Sequence, residues 1–405
     1  MGVFNQENII LGGDPTMRSF AFAYGYGERS LIHPNLSNFV NPIVRAVAKV
    51  LSPFFPDQPM KALLMQVALW VSPVCASLAA YMVYLIALAS GVRVVPSLAL
   101  SVIYAFSIST LAYGSIPDHF LISSFLLATG LYLLLVNASL SDRNNAIAWT
   151  LLMTATVGIT SSNLVPMLGM FTLSEYFRRP RQFKALVFSA GFMCVRAGIL
   201  TLILWAGLNW IYQDMTAVNP DVAYNKHIGR VILHISNNPL RDVISFPGTV
   251  GQAFWGGTPD IEQDIPSLEL FKFARYSSSF VYNTPFMNFK LVSLLWLIPI
   301  IVLGYSLFIG LTRQSGKFKP LAMAVALVIA FNWLLHTFWG NEVFLFSPHW
   351  HFATVVGLIP LIRFLPGNRI TDFAIVLFAA VLVVLNLWVW SDILQQIPML
   401  PLLPS

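Results

Sequence analysis

Charge is what this sequence has least of. Of its 405 residues, 10% are Asp, Glu, Lys or Arg and 57% are hydrophobic, with a mean hydropathy of +0.72. A soluble domain carries about 25% charged residues, so most of this chain is expected to lie out of water. Cysteine is almost absent. Cys75 and Cys194 both fall in apolar stretches without C-x-x-C or zinc spacing, which argues against a disulfide framework and a thiolate metal site. Residues 1–60 show no basic segment followed by an apolar one, so no cleavable signal peptide is expected. P-loop, G-x-G-x-x-G and G-x-S-x-G patterns are missing too, which argues against nucleotide-driven or serine-hydrolase chemistry within the chain. The net charge of +6 comes from Lys and Arg in the loops between apolar runs. That placement reads as a topology signal rather than a nucleic-acid footprint.

What the chain does contain is a series of apolar runs of the length that crosses a bilayer, roughly 20 residues each. They are continuous rather than alternating, and helices satisfy their own backbone in lipid. The expected fold is therefore all-α and polytopic, with about ten transmembrane helices at 62–90, 95–113, 118–137, 146–161, 164–177, 185–212, 289–312, 319–338, 349–366 and 370–391. The expected organisation is an external first loop (1–60), a first bundle half (61–212), an external cap (213–288), a second bundle half (289–391) and an external tail (392–405).

Within the first loop, Val40, Ile43, Val44, Val47, Val50 and Leu51 recur at helical spacing, with Arg45 and Lys49 on the other side. This predicts an amphipathic helix in the membrane interface, ended by Pro53 and Pro56. The runs at 146–161 and 164–177 are short and meet at Ser161-Ser162-Asn163. They are either one kinked span or two that meet at the outer face. Lys and Arg gather in cytoplasmic loops. Arg178, Arg179, Arg181 and Lys184 mark one such loop, Arg313, Lys317 and Lys319 a second, and Arg363 and Arg369 a third. Two spans also place Arg93 and Arg143 inside, and leave 1–60, 114–117, 213–288 and 339–348 outside. The histidines, His33, His119, His227, His234, His336, His349 and His351, then all fall toward the outer face.

Candidate chemistry follows from that face. Asp14 lies in Gly-Gly-Asp-Pro, a turn that presents its carboxylate on a rigid loop; a turn-former or Asx cap fits the same residues. Asp118 opens a span, where an acid also caps a helix N-terminus. Asn163 sits at the junction of the short spans, either lining a site or capping the second helix. Glu342, with His336, His349 and His351, forms the densest polar-aromatic stretch. It suits an anion or sugar site, an aromatic interface belt, or a divalent metal. The spacing of His349 and His351 suits a strand, however, and no H-E-x-x-H supports the metal. Arg196, deep in a span, is either a functional cation or a snorkelling one.

The layout resembles the GT-C superfamily of integral-membrane glycosyltransferases, such as the protein O-mannosyltransferases and the aminoarabinose transferases. Gly13-Asp14 resembles that family's catalytic aspartate, and His33-Pro34-Asn35 the His-Pro element after it. Ile116-Pro117-Asp118-His119 resembles the acid at the external start of a span, and Glu342–Ser347 the late external loop that contacts the donor. The resemblance implies a GT-C-like bundle with an external loop and cap. It implies a sugar moved from a polyprenyl-phosphate donor to a glycan, lipid or protein acceptor, with Asp14 as base. Arg18, Arg29, His33, Asp118, His119, Asn163, Arg196, Glu342, His349 and His351 are the implied substrate-binding set. It also implies a transmembrane helix ahead of the first loop, which this sequence does not carry. The first loop has no paired acids, which points to a transferase without a metal cofactor. The expected setting is a bacterial inner membrane with the site on its periplasmic face. A transporter or flippase, or a polysaccharide polymerase or ligase, are the alternatives.

Overall fold

The computed structural model describes residues 36–137, 141–179, 183–212, 250–251, 253–254, 262–265, 270–272, 291–312, 317–338 and 347–396. Among these the chain is helical, apart from an antiparallel strand pair, β1 (Glu262–Ile265) and β2 (Leu270–Lys272), that pairs Glu262 with Lys272 inside the 213–288 segment. Asp14, Arg18, Arg29, His33 and Glu342 lie outside the described residues.

Helix α1 spans Leu36–Leu51. Its inner stripe is Leu36, Val40, Val44 and Ala48, and Leu36, Val40 and Val44 pack with Ala68, Ile122 and Ile159. Ile43 and Val50 point outward, at 65% and 68% exposure. The apolar face read from the sequence is thus two faces, one against the bundle and one left for lipid. An i, i+4 row fits a helix groove, whereas Ile43 and Val50 sit beyond its edge.

The bundle begins with α2 (Met60–Leu69) running into α3 (Val71–Ala89). The pair α4 (Val94–Ala105) and α5 (Ile108–Gly114) follows, then α6 (Phe120–Val136), α7 (Asp142–Ile159), α8 (Leu164–Arg178) and α9 (Phe183–Tyr212). The second half holds α10 (Leu291–Thr312), α11 (Phe318–Phe338), α12 (Pro348–Val356), α13 (Ile359–Phe364) and α14 (Arg369–Gln396). Among the described residues, four helices are long and apolar enough to cross a membrane, and five if the bent α4–α5 pair is one span. These are the helices of an integral multi-pass membrane protein.

Three features refine the sequence reading. The 95–113 run is not one straight helix: α4 and α5 meet at 56°. Neither Pro nor Gly breaks it; Ser107 caps α5, its Oγ accepting the Thr110 N–H. The 349–366 run is likewise divided, into α12 and α13, where Pro360 near the start of α13 lacks the N–H that a continuous helix would use. The two short runs around Ser161–Asn163 form a hairpin. Asn145 near the start of α7 donates to Glu175 near the end of α8 at 3.0 Å, so the helices run antiparallel.

Close approach holds the bundle together, as expected where lipid is as apolar as the core. At Gly310 on α10, a Cβ would stand 2.8 Å from the Ala322 Cβ of α11 and 3.0 Å from the Pro360 Cγ of α13. Trp149, Trp350, Tyr104 and Phe352 are fully buried at the centre. Val250, Ala253 and Phe254, from the segment expected to be an external cap, are buried in this same core. Asn386 of α14 fixes them, donating to the Phe254 carbonyl at 2.6 Å and to the Phe106 carbonyl at the α4–α5 break at 2.8 Å.

Polar contacts sort the helix ends into two groups. At one end Arg93 pairs with Asp372, Arg179 pairs with Asp142, and Lys317 donates to the Ala89 carbonyl. At the other end stand the starts of α3, α6 and α12, which carry Ser72, Asp118, His119 and His349.

Candidate functional site

The site is built on the turn Ser115–His119 between α5 and α6. Ser72, at the start of α3, holds it through the backbone. Its Oγ accepts the Asp118 N–H at 2.9 Å and donates to the Asp118 carbonyl at 3.2 Å. The carboxylate is thereby left to act on its neighbour. Asp118 Oδ1 accepts the backbone N–H of His119 at 2.6 Å and lies 2.5 Å from His119 Nδ1. Both residues are buried, at 3% and 6% exposure. A buried carboxylate is costly unless paired, and here imidazole and backbone pair with it.

The third member comes from far along the chain. Ser347 precedes α12 and shares a 2.7 Å hydrogen bond with Ser109 of α5, which anchors the start of α12 beside the turn. His349 then packs edge-on against His119, ring centroids 5.5 Å apart, and against Phe120 at 5.0 Å. Phe120 also stands edge-to-face with Tyr113 at 5.5 Å, closing the apolar side of the cluster. The result is a carboxylate and two imidazoles walled by aromatic rings. Carboxylate and imidazole can pass a proton, orient a hydroxyl, or donate hydrogen bonds to an oxyanion.

Other expected site residues go elsewhere. His349 and His351 lie on a helix, not a strand, so their side chains diverge by roughly 200°. His351 faces the bundle interior, stacked with Tyr104 at 5.9 Å and edge-on to Phe254 at 4.8 Å. Its Nδ1 meets Thr354 Oγ1 at 3.0 Å. Asn163 is buried in the turn between α7 and α8. Its N–H donates to the Thr160 carbonyl at 3.1 Å, and Thr160 Oγ1 is 3.2 Å from Ser123 Oγ on α6. Arg196 stands on α9 with its guanidinium 5.4 Å from the centre of the Phe192 ring. Among the described residues no group of three or more His, Cys, Asp or Glu side chains is placed to hold a metal ion.

The sequence singled out Asp118, His119 and His349, which the structure brings together, but carried no sign of what holds them. Ser72, Ser109 and Ser347 carry no signal of their own, because serine is common in apolar helices, where it bonds its own backbone. Comparison with protein-family models and with curated proteins finds no match to this chain.

Proposed function

We propose that this chain is a GT-C-type glycosyltransferase that moves a sugar from a polyprenyl-phosphate-linked donor to an acceptor hydroxyl at the external membrane face. The observation that carries this reading is the convergence of Asp118, His119 and His349 at the bundle end opposite the Arg93, Arg179 and Lys317 contacts. Lys and Arg mark the cytoplasmic side, so the carboxylate–imidazole cluster faces outward, in the ten-crossing topology, toward the periplasm of a bacterial inner membrane. A lipid carrier enters such a site sideways from the bilayer.

In the proposed reaction Asp14 takes the proton of the acceptor hydroxyl. The acceptor oxygen forms a bond to the anomeric carbon as that carbon's bond to the phosphate oxygen breaks, with inversion. Polyprenyl phosphate leaves. Assistance of this kind contributes about 10²–10⁴-fold. His119 and His349 donate to the sugar or phosphate oxygens, and Asp118 sets the orientation of the His119 ring. Arg18, Arg29, His33 and Glu342 complete the proposed substrate-binding set; Asn163, Arg196 and His351 stand apart from the cluster and are left out of it.

One observation favours a second reading. The 56° break between α4 and α5 is the kind of discontinuous helix that transporters place at a substrate site. A single experiment separates the two. Membranes with the protein receive a radiolabelled polyprenyl-phosphate sugar and an acceptor extract, and proteoliposomes receive the same donor on one side. Transfer that is lost in Asp14→Asn supports the transferase; donor translocation without transfer supports the transporter.

A further inference from the structure

The opposite end of the bundle carries a second cluster that the transferase reading does not use. The turn between α3 and α4 runs through Gly91, whose φ of +80° favours glycine and directs the chain sharply back. Three cations from separate segments surround this turn. Lys317 Nζ donates to the Ala89 carbonyl at 3.1 Å. Arg363 Nε, at the end of α13, lies 3.9 Å from where a Gly91 Cβ would stand. Arg93 Cζ is 3.7 Å from the corresponding point at Gly367. The paired carboxylate there is Asp372, and Arg93 takes both its oxygens at 2.7 Å. Among the described residues, Lys317 and Arg363 have no carboxylate paired with them.

An apolar strip leads away from this point. Val94 and Leu98 on α4, and Ile370, Phe373 and Leu377 on α14, are all exposed. Their i, i+4 and i, i+3, i+7 spacings put each set on one helix face, and α4 and α14 pack side by side. A surplus of cations at a helix end, continuous with an exposed apolar seam, matches one molecule: a phosphate with acyl chains. We propose that this junction binds an anionic phospholipid. Its phosphate lies between Arg363 and Lys317, and its chains lie along the α4–α14 seam. Repulsion between unpaired cations near the low-dielectric boundary is relieved by an anion. The proposal does not depend on the reaction at the other end.

The test uses the full chain in neutral detergent, titrated with phosphatidylglycerol, phosphatidylcholine or inorganic phosphate, with thermal unfolding and native mass spectrometry as readouts. Phosphatidylglycerol is expected to bind and raise the unfolding temperature, whereas phosphatidylcholine and inorganic phosphate do not. Arg363→Gln and, separately, Lys317→Gln each weaken phosphatidylglycerol binding about fivefold. Arg143→Gln, an exposed cation on a different turn of the same end, leaves binding unchanged. Equal binding of phosphatidylcholine overturns the proposal, as does an inorganic-phosphate response equal to that of the lipid. Equal weakening by Arg143→Gln also overturns it, because the effect would then be general surface charge.

Discussion

His119 Nδ1 lies 2.5 Å from Asp118 Oδ1, while the backbone N–H and carbonyl of Asp118 are both held by the hydroxyl of Ser72. The carboxylate orients the imidazole, and a separate residue fixes the turn. The side chain and the backbone of one residue thus have separate partners, and substitutions separate them.

We predict that Asp118→Asn keeps the fold and loses the activity. The amide preserves size, and neither Ser72 hydrogen bond involves the replaced group. The His119 ring loses its carboxylate partner. Transfer falls by about 10²-fold through kcat rather than KM, while the thermal unfolding midpoint in detergent stays near the wild-type value.

Ser72→Ala is expected to do the reverse in stability. It removes both hydrogen bonds that the Ser72 hydroxyl makes to the Asp118 backbone in a buried turn. Each such bond contributes about 0.5–1.5 kcal/mol, and its loss is read as a lower unfolding midpoint. Restoring a hydroxyl with Ser72→Thr recovers most of it.

Asn386→Leu is predicted to release the segment at Val250–Phe254. Its amide bonds the Phe254 and Phe106 carbonyls, so the substitution frees two acceptors inside the core. Hydrogen exchange at residues 250, 251, 253 and 254 is expected to rise severalfold more than in α7, to which Asn386 makes neither of these hydrogen bonds.

Gly310→Ala is expected to destabilise the protein by about 1–3 kcal/mol, the usual cost of overpacking a tight contact. The added methyl meets the Ala322 Cβ at 2.8 Å and the Pro360 ring at 3.0 Å, and neither can swing away. Gly198→Ala, which meets nothing within 4 Å, is the neutral comparison.

How much of this was legible in the sequence varied with the physics that carries each feature. Long apolar helices are written in composition, so α9 and α14 stand where the runs predict them. The hairpin of α7 and α8 was also legible, because Lys and Arg mark loops whatever the tertiary structure does. The α4–α5 bend was not, since it turns on the capping hydroxyl of Ser107 rather than on Pro or Gly. The burial of Val250, Ala253 and Phe254 was hidden for another reason. A short apolar stretch in a loop looks the same whether it meets core or solvent, and only Asn386, more than a hundred residues away, decides it. In the site, Asp118 and His119 were adjacent in sequence and easy to pair. His349 joined them only through the helical phase of α12, which also sent His351 to the opposite side.

The most direct measurement of the central claim is sidedness-resolved sugar transfer. Right-side-out and inverted vesicles containing the protein are given a polyprenyl-phosphate sugar in the bilayer and a membrane-impermeant acceptor in the medium. The account predicts transfer only in right-side-out vesicles, abolished by Asp14→Asn and reduced about 10²-fold by Asp118→Asn. Transfer confined to inverted vesicles, or transfer indifferent to both substitutions, would contradict it.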